Sequence, residues 1–234
     1  FMFYEKIIFL IKNKATLSII YHFIIQKLIN LFFKHKIIKF KKEHQFFLQE
    51  KKISSDYFSM NAFNFYNYLK KLKNNFKYLE IGSFEGNSAI FIAKKFKDCK
   101  IYCVDTWIGH EQYYRDKNFN EIEKNFDLNI KNYSNIVKIK NKSDTFFSEN
   151  KDLKFDVIYI DGDHHYDQVL LDCQNAWTLL KRDGIFICDD YIWSYFDDIK
   201  KNPCYAINTF LKEIKNKYKI LQVSKSQIFL RKLD

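Results

Sequence analysis

Glycine and proline are scarce in this chain of 234 residues, which has five of the first and one of the second. No G-x-G-x-x-G occurs, so the dinucleotide fingerprint is missing in its usual form. Cysteine is also sparse. Cys99, Cys103, Cys173, Cys188 and Cys204 make an odd number with no C-x-x-C pair. That argues against a disulfide framework or a zinc site, and for reduced thiols in a cytoplasmic protein. No uncharged apolar run approaches the ~18 residues of a membrane span. No small-residue cleavage site follows the apolar N-terminal stretch, which argues against a signal peptide. Met2 is the expected natural start. Arginine is rare and no nucleic-acid module is recognisable, so nucleic acid is not an expected partner. Acids are scarce in one place only. Residues 1–76 hold fourteen lysines against four acids, whereas residues 77–234 are nearly balanced. The net charge of +11 therefore belongs to the N-terminal third.

Apolar residues make up 47% of the chain, ample for the core of one domain with an appendage. Two of the five glycines stand four apart in YLEIGSFEGNSAIFIAKKF, Tyr78 to Phe96. Tyr78–Ile81 reads as a buried strand and Asn87–Phe96 as a helix, with Gly82–Gly86 as the turn between them. Such a turn presents backbone N–H groups and a helix N-terminus to a ligand. Gly82 suits positive φ, and Gly86 admits close approach.

Further strands are expected at Lys100–Val104, Ile136–Ile139, Val157–Ile160 and Ile185–Cys188. Helical stretches lie between them at Phe119–Ile130, Asp144–Glu149 and Tyr166–Leu180. This alternation predicts a doubly wound, mostly parallel sheet. A helix at Tyr205–Lys217 and a hairpin of Tyr218–Val223 and Gln227–Arg231 follow. Phe58–Phe76 has helical spacing. Lys36–Lys52 reads as a solvated, lysine-rich connector. Read as a helix, Ala15–Lys34 gathers Ser18, His22, Gln26, Asn30 and Lys34 on one narrow polar stripe, with a wide apolar face elsewhere. That face must be covered by the rest of the chain, by a second copy in a homodimer, or by a membrane surface met through residues 1–40. The expected division is residues 1–76 and residues 77–234.

Asp105, at the end of the second strand, is placed to accept hydrogen bonds from a ribose diol, or to cap a turn. Trp107 follows as a flanking ring or a core residue. The most specific stretch is DVIYIDGDHHYDQVLLDCQNAWTLLKRDGIFICDDY, Asp156 to Tyr191. Asp161 ends the fourth strand; Asp189 and Asp190 end the fifth. Neighbouring strands lie ~4.8 Å apart, so these carboxylates can converge at the sheet's C-terminal edge. A hard divalent cation such as Mg²⁺ would relieve their repulsion.

The spacing E-x-G-x-x-x-G, with I-D-G-D-H-x-Y and the paired aspartates, resembles the class I S-adenosylmethionine-dependent methyltransferases. The likeness is strongest to small-molecule O-methyltransferases and looser to catechol-type and macrolide-sugar enzymes. It covers roughly residues 77–232. The resemblance implies a seven-stranded Rossmann-like sheet whose last strand is inserted antiparallel. It implies S-adenosylmethionine held by Glu80, Gly82, Ser83, Gly86, Ser88, Asp105, Ser143, Asp144 and Asp161. Ser143 and Asp144 read equally well as a helix cap. It implies a metal on Asp161, Asp189 and Asp190 that chelates the hydroxyl of a small-molecule acceptor. His164 stands where the catechol branch has a basic lysine, so His164 and Asp161 are the expected catalytic residues. His110, Tyr113, Tyr114 and Arg115 lie on a loop after the second strand that reads equally as a cover for the acceptor or as a solvated aromatic loop. Three alternatives stay open: metal-free methyl transfer with His164 as base, a non-enzymatic module at a membrane surface, and a nicotinamide-dependent oxidoreductase. Phe84 inside the glycine turn argues against the last.

Overall fold

A computed structural model describes residues 3–108, 119–194 and 196–234, and the alternation of strand and helix is present from Lys77 onward. His110, Tyr113, Tyr114 and Arg115 lie outside the described residues. The fold is a doubly wound, Rossmann-like sheet of seven mostly parallel strands with an antiparallel C-terminal hairpin. The chain clusters into two units: residues 32–146, and residues 1–31 with 147–234.

The first unit holds helices α3 (Lys34–Leu48), α4 (Ala62–Leu69), α5 (Asn87–Lys95) and α6 (Phe119–Ile130). Its strands β1 (Lys77–Ile81), β2 (Lys100–Asp105) and β3 (Ile136–Lys140) are parallel in the order β3-β2-β1. The Lys-rich segment expected to be a solvated connector is helix α3. Its lysines point outward while Phe40, His44 and Leu48, four apart, make one inward stripe. Phe40 packs 5.6 Å from Phe63, and His44 meets Phe58 at 5.7 Å and Phe91 at 5.1 Å. The helix expected over Phe58–Phe76 is confined to α4, which ends where the run of residues 70–75 offers Leu72 as its one apolar side chain.

The second unit contains α1 (Phe3–Lys12), α2 (Leu17–Phe32), β4 (Phe155–Ile160), α8 (Tyr166–Leu179), β5 (Leu180–Cys188), α9 (Pro203–Glu213), β6 (Tyr218–Val223) and β7 (Ile228–Lys232). A short helix, α7 (Ser143–Glu149), spans the boundary between the units. The strand order is β4-β5-β7-β6, with β7 antiparallel to both its neighbours. The chain's one proline, Pro203, sits in the first turn of α9, where a missing N–H costs nothing. Trp177 fills the layer between α8, β5 and α9, against Phe186 (5.5 Å) and Phe210 (5.7 Å). Asn208 on α9 joins the helical N-terminus to this layer. Its Nδ2 donates to Asn13 O (2.9 Å), and its Oδ1 accepts from the Tyr191 hydroxyl (2.7 Å). Among the described residues, no single helix is long and apolar enough to cross a membrane.

Candidate active site

In the unit of residues 32–146, the turn after β1 has positive φ at Gly82 (87°), Phe84 (47°) and Gly86 (80°). Phe84 in that region is strained, a cost of about 1–3 kcal/mol that its surroundings must offset. Asp105 supplies the offset. Its Oδ2 accepts from the Ser83 and Phe84 amides, each at 2.9 Å, and its Oδ1 accepts from Trp107 N at 2.8 Å. Trp107 closes the knot by donating Nε1–H to Phe84 O (2.8 Å), with its ring buried on Phe126. Burial raises the Asp105 pKa, and its amide donors only partly oppose the shift. So Asp105 shapes the glycine turn, and Trp107 is a core residue of that turn.

Two polar atoms here, Glu80 Oε1 in β1 and Ser83 Oγ in the turn, are buried and lack a well-formed hydrogen bond, although the Ser88 and Ser83 hydroxyls approach the Glu80 carboxyl. Buried polar groups are nearly always paired, so orphans beside a glycine turn suit a polar ligand. Burial pushes the Glu80 carboxyl up to about 7, and the nearby hydroxyls of Ser88, Tyr78 and Ser83 offset only part of this. Gly86 leaves no room for a larger residue, since an added Cβ would lie 3.0 Å from Phe126. Ser88 lies in the first turn of α5. Ser143 and Asp144 lie in the first turn of α7, where Asp144 is exposed.

A second layer under this turn was not among the residues expected from sequence. Glu85, almost fully buried, accepts from Ser54 N (2.6 Å) and from Asn125 Nδ2 (2.9 Å). Asn129 donates to Glu85 O and to Lys52 O, and accepts from Lys52 N. His44 bonds Asn87 at the start of α5 (2.7 Å), and burial lowers its pKa. An acid between two glycines, and asparagines spaced 125 and 129 on one helix face, were the available signals.

In the other unit, Asp161 follows β4, and Asp189 and Asp190 follow β5. Asp189 N donates to Ile160 O (2.9 Å), which holds the two strand ends together. One ligand atom from each of Asp161, His164 and Asp190 falls within 4.8 Å of the others. His164 Nε2 lies 2.8 Å from Asp190 Oδ2, with the ring 4.8 Å from that of Trp193. Burial alone would lower the His164 pKa; the hydrogen bond and charge of Asp190, helped by Asp163 and Asp189, outweigh it and raise the pKa. Asp190 has φ +52°, another strained non-glycine position beside chemistry. Asp163 is turned to His165, accepting from its backbone N (2.7 Å) and lying 2.6 Å from its Nδ1.

Asp189 has partners of its own. It accepts from Gln227 Nε2 (2.8 Å) and from Asp190 N (2.8 Å). The Tyr159 hydroxyl lies between Asp161 Oδ2 (2.8 Å) and Asp189 Oδ2. One hydroxyl proton cannot serve two carboxylates. A proton held on Asp189 satisfies the arrangement, and burial together with the Asp190 charge raises the Asp189 pKa accordingly. The structure thus gathers Asp161, His164 and Asp190 and gives Asp189 to Tyr159 and Gln227. Two carboxylate oxygens and an imidazole nitrogen in this spacing fit a divalent cation. A cleft over them is lined by Ile160, Gly162, Val169, Cys188, Pro203 and Ile207.

Residues 79–191 match the model of a family described as a methyltransferase domain. A search of curated proteins finds no match. Among solved structures, a candidate caffeoyl-CoA O-methyltransferase from Staphylococcus aureus is 17% identical, with a TM-score of 0.57; the alignment covers 88% of this chain and 98% of that one. A candidate O-methyltransferase from Klebsiella pneumoniae is 11% identical, with a TM-score of 0.57, covering 86% of this chain and 89% of that one. The MycE methyltransferase of the mycinamycin pathway, solved with Mg, SAH and mycinamycin VI, is 14% identical, with a TM-score of 0.56, covering 76% and 51%. At these identities the likeness is one of fold.

Proposed function

We propose that residues 79–191, which match a methyltransferase-domain model, work as a class I methyltransferase that moves a methyl group from S-adenosylmethionine to a hydroxyl of a small-molecule acceptor, with a divalent cation assisting. The observation that carries the proposal is the meeting of Asp161, His164 and Asp190 at the ends of β4 and β5.

Glu80, Ser83 and Gly86 would hold the cofactor: buried polar atoms lie there, and the positive φ of Gly82 and Gly86 shapes the turn that would receive it. The cofactor supplies a methyl group on a positively charged sulfur, ready for in-line attack. Asp161, His164 and Asp190 would hold the cation. A bound cation supplies a Lewis acid that lowers the pKa of an acceptor hydroxyl. The protein's own part is to fix the acceptor oxygen in line with the methyl and to keep water out. Tyr159 and Gln227 hold the Asp189 carboxyl, and a proton kept there leaves it unable to compete for the acceptor proton. Five buried cysteines without disulfides accord with a reducing, cytoplasmic setting.

A second reading rests on the 2.8 Å His164–Asp190 contact. Without metal, Asp190 makes His164 a stronger base, and His164 takes the acceptor proton itself. The two roles compete for Nε2, so one experiment separates them. Calorimetric titration with S-adenosylhomocysteine in EDTA comes first, then an acceptor panel with and without Mg²⁺ or Mn²⁺. Acceptor binding only with metal supports the assisted reaction. Metal-indifferent binding and turnover leave His164 as base. No cofactor binding would sink the methyltransferase reading itself.

A further inference from the structure

Helix α2 is turned the wrong way round for a helix packed in water. Its buried residues are Ile19, Phe23 and Gln26. The polar stripe of His22, Gln26 and Asn30 lies on or beside that buried side, with Gln26 donating to Asn30 Oδ1 (2.9 Å). The opposite side is apolar and open. Leu17 is 85% exposed, Tyr21 61%, Leu28 50% and Leu31 70%. With Ile24 these residues recur at intervals of four and three, an arc of about 80° along one side of the helix. A water-facing helix has the reverse pattern. Tyr4 and Ile11 on α1 add further open apolar side chains.

The charge around this face has one sign. Residues 1–31 carry four lysines and a single acid, Glu5. Lys27 flanks the stripe with its Nζ 4.0 Å from the centre of the Phe3 ring. The pKa of Lys6 is lowered first by burial, then by the positive charges of Lys225 and Lys27, so all three lysines add to one field of the same sign. Lys225 comes from the turn between β6 and β7.

We infer that α1 and α2 dock on an anionic lipid surface, with the Leu17–Leu31 stripe in the acyl boundary and Lys6, Lys27 and Lys225 at the headgroups. By itself α2 is too short to span: sixteen residues of helix reach about 24 Å, short of the roughly 30 Å hydrocarbon core, and a helix of that length with one apolar side suits the interface. Tyr4 and Tyr21 suit that depth, where aromatic rings with a polar tip collect. Charge decides against a second copy as the occupant. A symmetric contact through this stripe would bring the same lysines toward their own copies.

The test is co-sedimentation of the full chain with vesicles of phosphatidylcholine alone or mixed with phosphatidylglycerol. Binding is expected to the anionic vesicles only, and to weaken with salt. Lys27→Glu and Lys225→Glu each lower it at least about fivefold. Ile24→Glu with Leu28→Glu, on the open side where the fold is untouched, lowers it at least about tenfold. Absence of binding to anionic vesicles, or binding that ignores both sets of substitutions, overturns the inference. So does a dimer in sedimentation velocity that Ile24→Glu/Leu28→Glu splits while vesicles are ignored.

Discussion

The substitution Glu80→Gln should change how stability depends on pH more than it changes stability itself. Glu80 lies in β1, is fully buried, and has its carboxyl raised from 4.5 to about 7. The folded state therefore holds a proton that the unfolded chain releases near 4.5. Between those two values the native protein binds more protons, so stability falls as pH rises through the interval and levels off above about 7. A shift of that size corresponds to roughly 3 kcal/mol, largest above the folded pKa and absent below the unfolded one. The glutamine variant has no such transition. Its amide leaves Tyr78 an acceptor oxygen, in place of the 2.9 Å bond to Glu80 Oε2. Its NH₂ falls where Oε1 has no partner, a constant penalty of about 1–3 kcal/mol. The offset is thus ambiguous, and the slope is diagnostic. Urea unfolding of both proteins, cofactor-free, from about pH 4.5 to about pH 8 gives the difference curve. Asp105, also raised, is present in both proteins; its charge is the last-named cause of the Glu80 shift, so its contribution cancels only in part. The difference should move by roughly 3 kcal/mol in favour of the variant as pH rises. A curve flat to about 0.5 kcal/mol would refute the claim that Glu80 is buried as an acid without adequate compensation.

Gly86→Val meets both a positive φ and Phe126 at 3.0 Å, and should cost about 2–4 kcal/mol and abolish S-adenosylhomocysteine binding by calorimetry. Asn129→Ala strands Lys52 N, Lys52 O and Glu85 O, and should cost about 3 kcal/mol in urea unfolding. Asp161→Asn should lose most turnover while cofactor affinity, measured by calorimetry, persists. His164→Ala removes the one nitrogen donor of its cluster and should weaken Mn²⁺ about tenfold while leaving Mg²⁺ little changed; competition calorimetry reads the ratio.

The alternation from Lys77 onward was legible because each buried strand is a short apolar run bounded by turn residues. The inserted position of β7 was not, since a hairpin of Tyr218–Val223 and Ile228–Lys232 looks the same whichever strand pairs with β5. That feature came from the family resemblance. α3 hid behind its lysines. A helix needs only one apolar residue per turn on its inner side, and Phe40, His44 and Leu48 supply it amid a segment whose composition reads as solvated.

The site divides along the same line. Positions fixed by strand ends were legible: Gly82, Asp105, Asp161, Asp189 and Asp190 end or follow strands at the C-terminal edge, where open α/β sheets in general bind ligands. Which carboxylate turns which way was not. Asp189 and Asp190 are adjacent, yet one lies between Tyr159 and Gln227 and the other reaches His164. The φ of +52° at Asp190 decides this, and no sequence pattern announces a strained non-glycine residue. α2 shows the same limit from the other side. Its polar stripe was visible from spacing, and so was the need for something to cover the apolar face. A helical pattern gives two faces, but only the tertiary structure says which is turned in. Here Ile19 and Phe23 claim the interior, and Gln26 goes in with them because its amide can bond Asn30. The residues left outside are then the apolar ones, and their exposure must be answered by something other than this chain's own core.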